Sequence, residues 1–263
     1  MRVTVDDAMI DVAKDGAGAP IVLIHGFPVT RRIWDRQAAT LSHKLLTIRP
    51  DLRGMGSSSA PAGPYLMETL AADIAAVLDA MSIERATIVG HSLGGYVAMA
   101  FSRMFTERVA RLALVCSRLA ADTPEIVRTR NELADRVERD GRIDAVVDAY
   151  VPRMFAPVTL ENRLPVVNLA REMALENDPR GAAAMLRGMA QRSESYDIAE
   201  ELAMPVLIVA GAADQVVPLS EAEEMRRAFP RAEMRIMGRS GHLPMLEEPA
   251  ALAEALAEFA QEG

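Results

Sequence analysis

Short, largely apolar runs alternate along this chain with stretches in which apolar residues return every three or four positions. The runs at residues 21–24, 45–48, 86–89, 112–116 and 206–209 are each four or five residues long. Runs of that length suit strands buried on both faces, as in a parallel sheet. Residues 3–5 and 9–12 read as an antiparallel hairpin pair, and residues 233–237 alternate as a last strand. Leu70, Ile74, Val77, Leu78 and Met81 share one helical face, and so do Val97, Phe101, Met104 and Phe105. Leu252, Leu256 and Phe259 predict a closing helix over residues 248–260, with Pro249 near its start. A Ser-x-x-Glu capping box, Ser220 to Glu223, is expected to open a helix running towards Phe229. This alternation predicts an α/β fold with a mostly parallel sheet and helices on both faces.

The pattern changes between residues 119 and 202, where strand signals vanish and helical stretches follow one another. Thr123-Pro124 starts a helix with proline at its first position, and Ile126, Arg130, Leu133 and Val137 give it a partly apolar face. Gly141, Pro152, Pro157, Pro165 and Pro179 break the remainder into short pieces. Strand signals resume at residue 206, so the segment is expected to be a helical cap inserted into one sheet domain. The boundaries expected are residues 1–118 and 203–263 for the core and 119–202 for the cap. The cap arginines are expected on solvated faces with acidic partners. Its apolar residues suggest an uncharged, partly hydrophobic substrate.

Composition narrows the function. At 263 residues the chain can bury a sizeable core. No apolar run approaches the ~20 residues of a membrane span, and residues 1–7 lack the apolar core of a signal peptide. A net charge of −8 argues against a general nucleic-acid role. Cys116 is the one cysteine, so no intrachain disulfide forms, and a reducing, cytoplasmic location is expected. Within its apolar run it reads as a buried strand residue rather than a nucleophile. One cysteine and four scattered histidines make no zinc pattern, and no metal is expected.

The chemistry centres on Gly90-His91-Ser92-Leu93-Gly94-Gly95. A Gly-x-Ser-x-Gly pattern alone arises often by chance, but here a strand precedes it and a helix follows. Such a turn strains the serine backbone and exposes its hydroxyl above the sheet, at the positive end of a helix. Nucleophilic acyl transfer also needs a base and a carboxylate that orients it. Asp214 follows the strand at 206–209 and His242 follows the next, in the chain order Ser…Asp…His expected of this architecture. Asp122, beyond the preceding strand, is the rival acid. His25 and His91 are expected to organise hydrogen bonds, His43 to lie on the surface and Trp34 to pack in the core.

With these residues in place, the sequence resembles an α/β-hydrolase. It is similar in particular to the small-cap branch that holds carboxylesterases, enol-lactonases and cofactor-free haloperoxidases (perhydrolases). The matching motifs are His25-Gly26-Phe27-Pro28 with Trp34 and Gln37 downstream, Asp51-Leu52-Arg53-Gly54, Gly90 to Gly95, Gly211 to Asp214, and Gly241-His242. They span both halves of the sheet domain, whereas the cap matches in length and helical character only. Met55 departs from the pattern, in which a histidine often follows Arg53-Gly54.

The resemblance implies a largely eight-stranded sheet, Ser92 as nucleophile, His242 as general base then acid, and Asp214 as the orienting carboxylate. It places the oxyanion on the backbone N–H groups of Phe27 and Leu93, and it implies no cofactor. Relatives that attack with aspartate, the epoxide hydrolases and haloalkane dehalogenases, are excluded by the serine at the elbow. The expected activity is hydrolysis of carboxylic esters of small to medium, partly hydrophobic substrates through an acyl-enzyme. A lactonase, a carbon–carbon bond hydrolase or a perhydrolase would use the same residues. A slow-turnover receptor on the hydrolase fold is the alternative from another class. The partner expected is a small-molecule ester or lactone.

Overall fold

A computed structural model describes residues 1–229 and 231–261 of the protein. The chain runs β1 (Arg2–Val5), β2 (Ala8–Asp15), β3 (Ala19–Ile24), α1 (Asp35–Leu41), β4 (Leu45–Pro50), α2 (Met67–Ala80), β5 (Ala86–His91), α3 (Leu93–Met104) and β6 (Val109–Val115). Six helices follow without a strand among the described residues: α4 (Pro124–Asp140), α5 (Asp144–Tyr150), α6 (Pro157–Asn162), α7 (Leu164–Leu175), α8 (Pro179–Ala190) and α9 (Tyr196–Ala199). The chain then completes the sheet with β7 (Val206–Gly211), α10 (Leu219–Ala228), β8 (Glu233–Met237), α11 (Pro244–Glu247) and α12 (Pro249–Gln261).

The eight strands form one sheet in the order β1-β2-β4-β3-β5-β6-β7-β8. The β1–β2 and β2–β4 pairs are antiparallel and every later pair is parallel. β5 and β7 are buried at every position, which is why they read as largely apolar runs. The chain passes from β4 on one side of β3 to β5 on the other. Loops leaving the carboxyl ends of β3 and β5 therefore part at this reversal and leave a crevice, the usual ligand position in open α/β sheets. The loop after β3 carries Phe27 and the turn after β5 carries Ser92.

The helical segment between β6 and β7 starts where expected. Thr123 is the N-cap of α4 and its Oγ1 accepts from the Ile126 N–H at 3.3 Å. Gly141 ends the helix at φ 62°, a left-handed conformation that costs glycine nothing. Proline sits in the first turn of α6, α7 and α8, where a missing N–H breaks no helical hydrogen bond.

Several local expectations fail. Helix α10 begins at Leu219 with Pro218 as its N-cap, so Ser220 lies inside the first turn and the capping box is not used. Met104 is exposed at the end of α3, because the helix stops at Phe105 and does not carry it onto the core. Helix α1 is an addition: Ala38 and Leu41 are its buried apolar residues, too few to signal it from periodicity. The exposed cap arginines 136, 139, 142 and 171 pair with acids as expected, but Arg130 and Arg192 are buried.

Candidate active site

Ser92 stands between β5 and α3 with φ 51° and ψ −114°, a backbone conformation rare for any residue with a side chain. The surrounding glycines make it possible. A Cβ at Gly90 would run into the Gly94 carbonyl, and one at Gly94 into the Ile24 carbonyl. The turn is held from the end of β6 as well. The Ser92 N–H donates to the Val115 carbonyl at 2.9 Å, and Ser117 Oγ donates to the Ser92 carbonyl at 2.9 Å.

Asp214 occupies the turn after β7. Its Oδ1 accepts the N–H groups of Val216 and Val217 at 2.8 and 2.9 Å, which leaves Oδ2 to face His242 Nδ1 at 2.7 Å. Both side chains are 1% exposed. A carboxylate on Nδ1 fixes the proton there and leaves Nε2 as the basic nitrogen. The rival acid, Asp122, is engaged elsewhere, by Arg118 at 2.8 Å and Arg130 at 2.6 Å. Of the two candidate acids, the fold brings Asp214 to the histidine.

The loop carrying His242 is fixed by groups that sequence reading did not single out. The His242 N–H donates to the Met154 carbonyl at 2.9 Å. Glu247 accepts the Gly241 N–H at 2.7 Å and the Ala156 N–H at 2.9 Å. Glu248 accepts from the Arg239 N–H and Ser240 Oγ, both at 2.8 Å. The adjacent acids before Pro249 were the available signal, but a Glu-Glu-Pro string also fits an ordinary helix start.

Ser92 and His242 meet through their neighbours. His91 Nε2 donates to the His242 carbonyl at 2.9 Å, and the two imidazole rings lie 4.8 Å apart. Burial holds His91 well below the usual histidine range, and the nearby His242 pushes the same way, so it stays neutral. His25 is similar. Its Nε2 accepts the Leu52 N–H at 3.0 Å, Nδ1 donates to the Gly26 carbonyl at 2.9 Å, and burial lowers its pKa. Both histidines organise hydrogen bonds as expected, His43 is exposed and Trp34 is fully buried.

Phe27 follows β3 and Leu93 is the first residue of α3, so their N–H groups border the crevice at the reversal of strand order. Among the described residues, neither N–H donates to a loop carbonyl or a side chain. The other motif residues are structural: Arg53 makes a buried ion pair with Asp73 at 2.6 Å, and Gln37 ties α1 to the Met245 and Pro249 carbonyls. Cys116 lies one residue past β6, with φ 47°, rather than within the strand. Its sulfur and the nearest atoms of Asp214 and His242 all lie within 4.8 Å of one another. The direct Asp214–His242 bond already occupies two of these three groups with each other, which does not favour a metal there.

A family model for the alpha/beta hydrolase fold matches residues 19–249. The chain is similar to a thermophilic esterase from Thermogutta terrifontis at 33% identity and a TM-score of 0.95, over 98% of this chain and 97% of that one. It is also similar to the enol-lactonase of Burkholderia xenovorans, with 26% identity and a TM-score of 0.92 over 100% of both chains. A putative non-heme chloroperoxidase of Synechocystis is 29% identical over 90% of each sequence.

Proposed function

Because this chain belongs to the alpha/beta hydrolase fold family, we propose that it is a serine hydrolase of carboxylic esters, with Ser92, His242 and Asp214 as its catalytic triad. The observation that carries this reading is the buried 2.7 Å bond from His242 Nδ1 to Asp214, at the same carboxyl end of the parallel strands as the strained Ser92. Ser92 Oγ attacks the ester carbonyl as His242 Nε2 takes its proton. Asp214 stabilises the resulting imidazolium through Nδ1–H without itself being protonated. The tetrahedral oxyanion rests on the N–H groups of Phe27 and Leu93, whose positions are set before reaction. Collapse expels the alcohol with the proton from His242. Water, deprotonated by the same nitrogen, then attacks the acyl-enzyme and releases the acid and Ser92.

In this reading residues 1–118 and 203–263 are the core domain, and residues 119–202 are a cap that roofs the crevice. Its Met154 carbonyl accepts the His242 N–H, and its Ala156 N–H donates to Glu247, the carboxylate that also holds Gly241, which supports a cap seated at the site. Similarity to an enol-lactonase over the full length favours lactones as the second substrate class.

The test is hydrolysis of p-nitrophenyl esters from acetate to octanoate by wild type and Ser92→Ala. Turnover should fall by roughly 10⁴-fold or more in the variant, and the best chain length sizes the acyl pocket. Equal rates in the two proteins would sink the assignment.

A further inference from the structure

A cluster of ionised side chains lies under α4, and the reaction proposed above does not use it. Asp122 accepts from Arg118 Nη2 at 2.8 Å and Arg130 Nε at 2.6 Å, and Arg192 Nη2 lies 3.6 Å away. Arg118 also approaches Glu221 at 3.6 Å. Three guanidiniums thus face two carboxylates, and one positive charge is left over. The arginine side chains are only 12%, 10% and 5% exposed. Nε of Arg118 and Nε of Arg192 have no acceptor among the described residues.

Burial of unmatched charge is costly unless a counter-charge is supplied. Burial is the main influence lowering the Arg192 pKa, and the Arg118 and Arg130 charges add to it, although Asp122 and the Tyr96 phenol oppose them. The Arg192 guanidinium stacks on the Tyr96 ring, 3.9 Å from its centroid. Tyr96 is one helical turn beyond Ser92.

Arg118 and Arg130 border a cavity of about 280 Å³, with Ile126, Leu133, Tyr150 and Val216 also in its wall. Arg153 and Glu125 stand at the exposed rim and offset each other. The cavity adjoins the candidate site on two sides. Tyr150, bonded to Arg130 Nη1 at 3.0 Å, meets the Phe27 ring edge-on at 5.3 Å. Val216 and Arg118 are each two residues past groups at the site, Asp214 and Cys116.

We propose that this cavity binds a carboxylate of the substrate, and that the preferred substrates are half-esters of dicarboxylic acids. The inference rests on the serine-hydrolase reading for the reaction and adds the substrate class. Arg118, whose Nη2 meets Asp122 while its Nη1 only approaches Glu221 at 3.6 Å, supplies the charge-assisted, directional donor for a carboxylate, and Arg130, already bonded to Asp122 and Tyr150, adds its charge. Ile126, Leu133 and Val216 supply apolar wall for the methylene spacer. The uncharged substrate suggested by the apolar cap pattern is therefore set aside: the buried arginines, invisible as such in the sequence, outweigh it.

The test compares monomethyl succinate, glutarate and adipate with uncharged methyl esters of matched length, by pH-stat at low salt. The half-ester should win by about 10- to 100-fold in kcat/KM. That ratio should shrink with added salt and fall about tenfold or more in Arg118→Met. Arg142→Met changes an exposed arginine between α4 and α5 and should leave the ratio alone. In parallel, succinate and glutarate binding to Ser92→Ala is measured by calorimetry. Both of these measurements keep the cluster intact, so a poorly folded Arg118→Met would not obscure the answer.

A wild type that prefers uncharged esters, or a Ser92→Ala protein that binds neither diacid, overturns the carboxylate site. In that case ester turnover lost in Ser92→Ala still upholds the hydrolase reading. Diacid binding without turnover of any ester would overturn the hydrolase reading and the half-ester substrate class together, and leave only the anion site.

Discussion

Glu247 holds the backbone of Gly241, the residue before His242: its Oε2 accepts the Gly241 N–H at 2.7 Å. Its other oxygen accepts the Ala156 N–H at 2.9 Å. One buried carboxylate thus fastens the histidine loop and the helical segment between β6 and β7 to the same point. Burial pushes the Glu247 carboxyl up from its ordinary value, against the pull of the Thr159 hydroxyl and these amides.

Replacing Glu247 with glutamine sets an NH2 group against one of two N–H donors. Glu247→Gln should lose about 1–3 kcal/mol in urea unfolding. A raised folded pKa means that the native state keeps a proton which the unfolded chain has already released. The contribution of that proton is complete below the unfolded pKa and is lost as pH rises through the higher folded value. Wild type should therefore lose stability relative to the variant as pH rises through this window, and the gap between them should narrow. A gap that stays constant from about pH 4 to about pH 7 would contradict the linkage.

Asp214→Asn tests the proposed orienting role directly. Asparagine would present an NH2 or a neutral oxygen to His242 Nδ1, so the imidazole tautomer is no longer fixed and the imidazolium loses its counter-charge. The expected loss in kcat is about 10³- to 10⁴-fold, with a far-ultraviolet dichroism spectrum like that of wild type. A loss under tenfold would remove Asp214 from the proposed triad.

Cys116 should be unreactive in the folded protein. It is 2% exposed, and burial, reinforced by the Asp214 charge, pushes its thiol well above the usual range. A disulfide reagent at mildly alkaline pH should label less than a tenth of the chains natively and one thiol per chain in denaturant, the chain having a single cysteine. Fast labelling of native protein would mean that the end of β6 opens readily.

How much could be read from the sequence depended on the range of the forces involved. Residues 21–24, 86–89 and 206–209 announced themselves because both faces of their strands are buried, so nearly every position is apolar, with Thr87 the one hydroxyl among them. The placement of the candidate residues Ser92, Asp214 and His242 after β5, β7 and β8 was legible because strand ends impose their order. The Ser220–Glu223 box misled because a capping motif is local, and Pro218 starts the helix earlier. Glu247, Arg130 and Arg192 were missed for the opposite reason. Their partners, Gly241 and Ala156 for the first and Asp122 for the others, come together only after folding; helical spacing put Arg130 on a partly apolar face, but nothing in a short window showed the acid that meets it there.

The bond from the His242 N–H to the Met154 carbonyl has a bearing on how such chains can be recombined. Met154 lies within the helical segment, yet it sets the height of a side chain that the sheet delivers. A chimaera that trades residues 119–202 for those of a relative would replace the backbone at Met154, which holds the histidine loop directly, and at Ala156, which holds it through Glu247. Exchanges that retain residues 154–156 should preserve the register of His242 against Asp214, and exchanges that discard them would have to rebuild it.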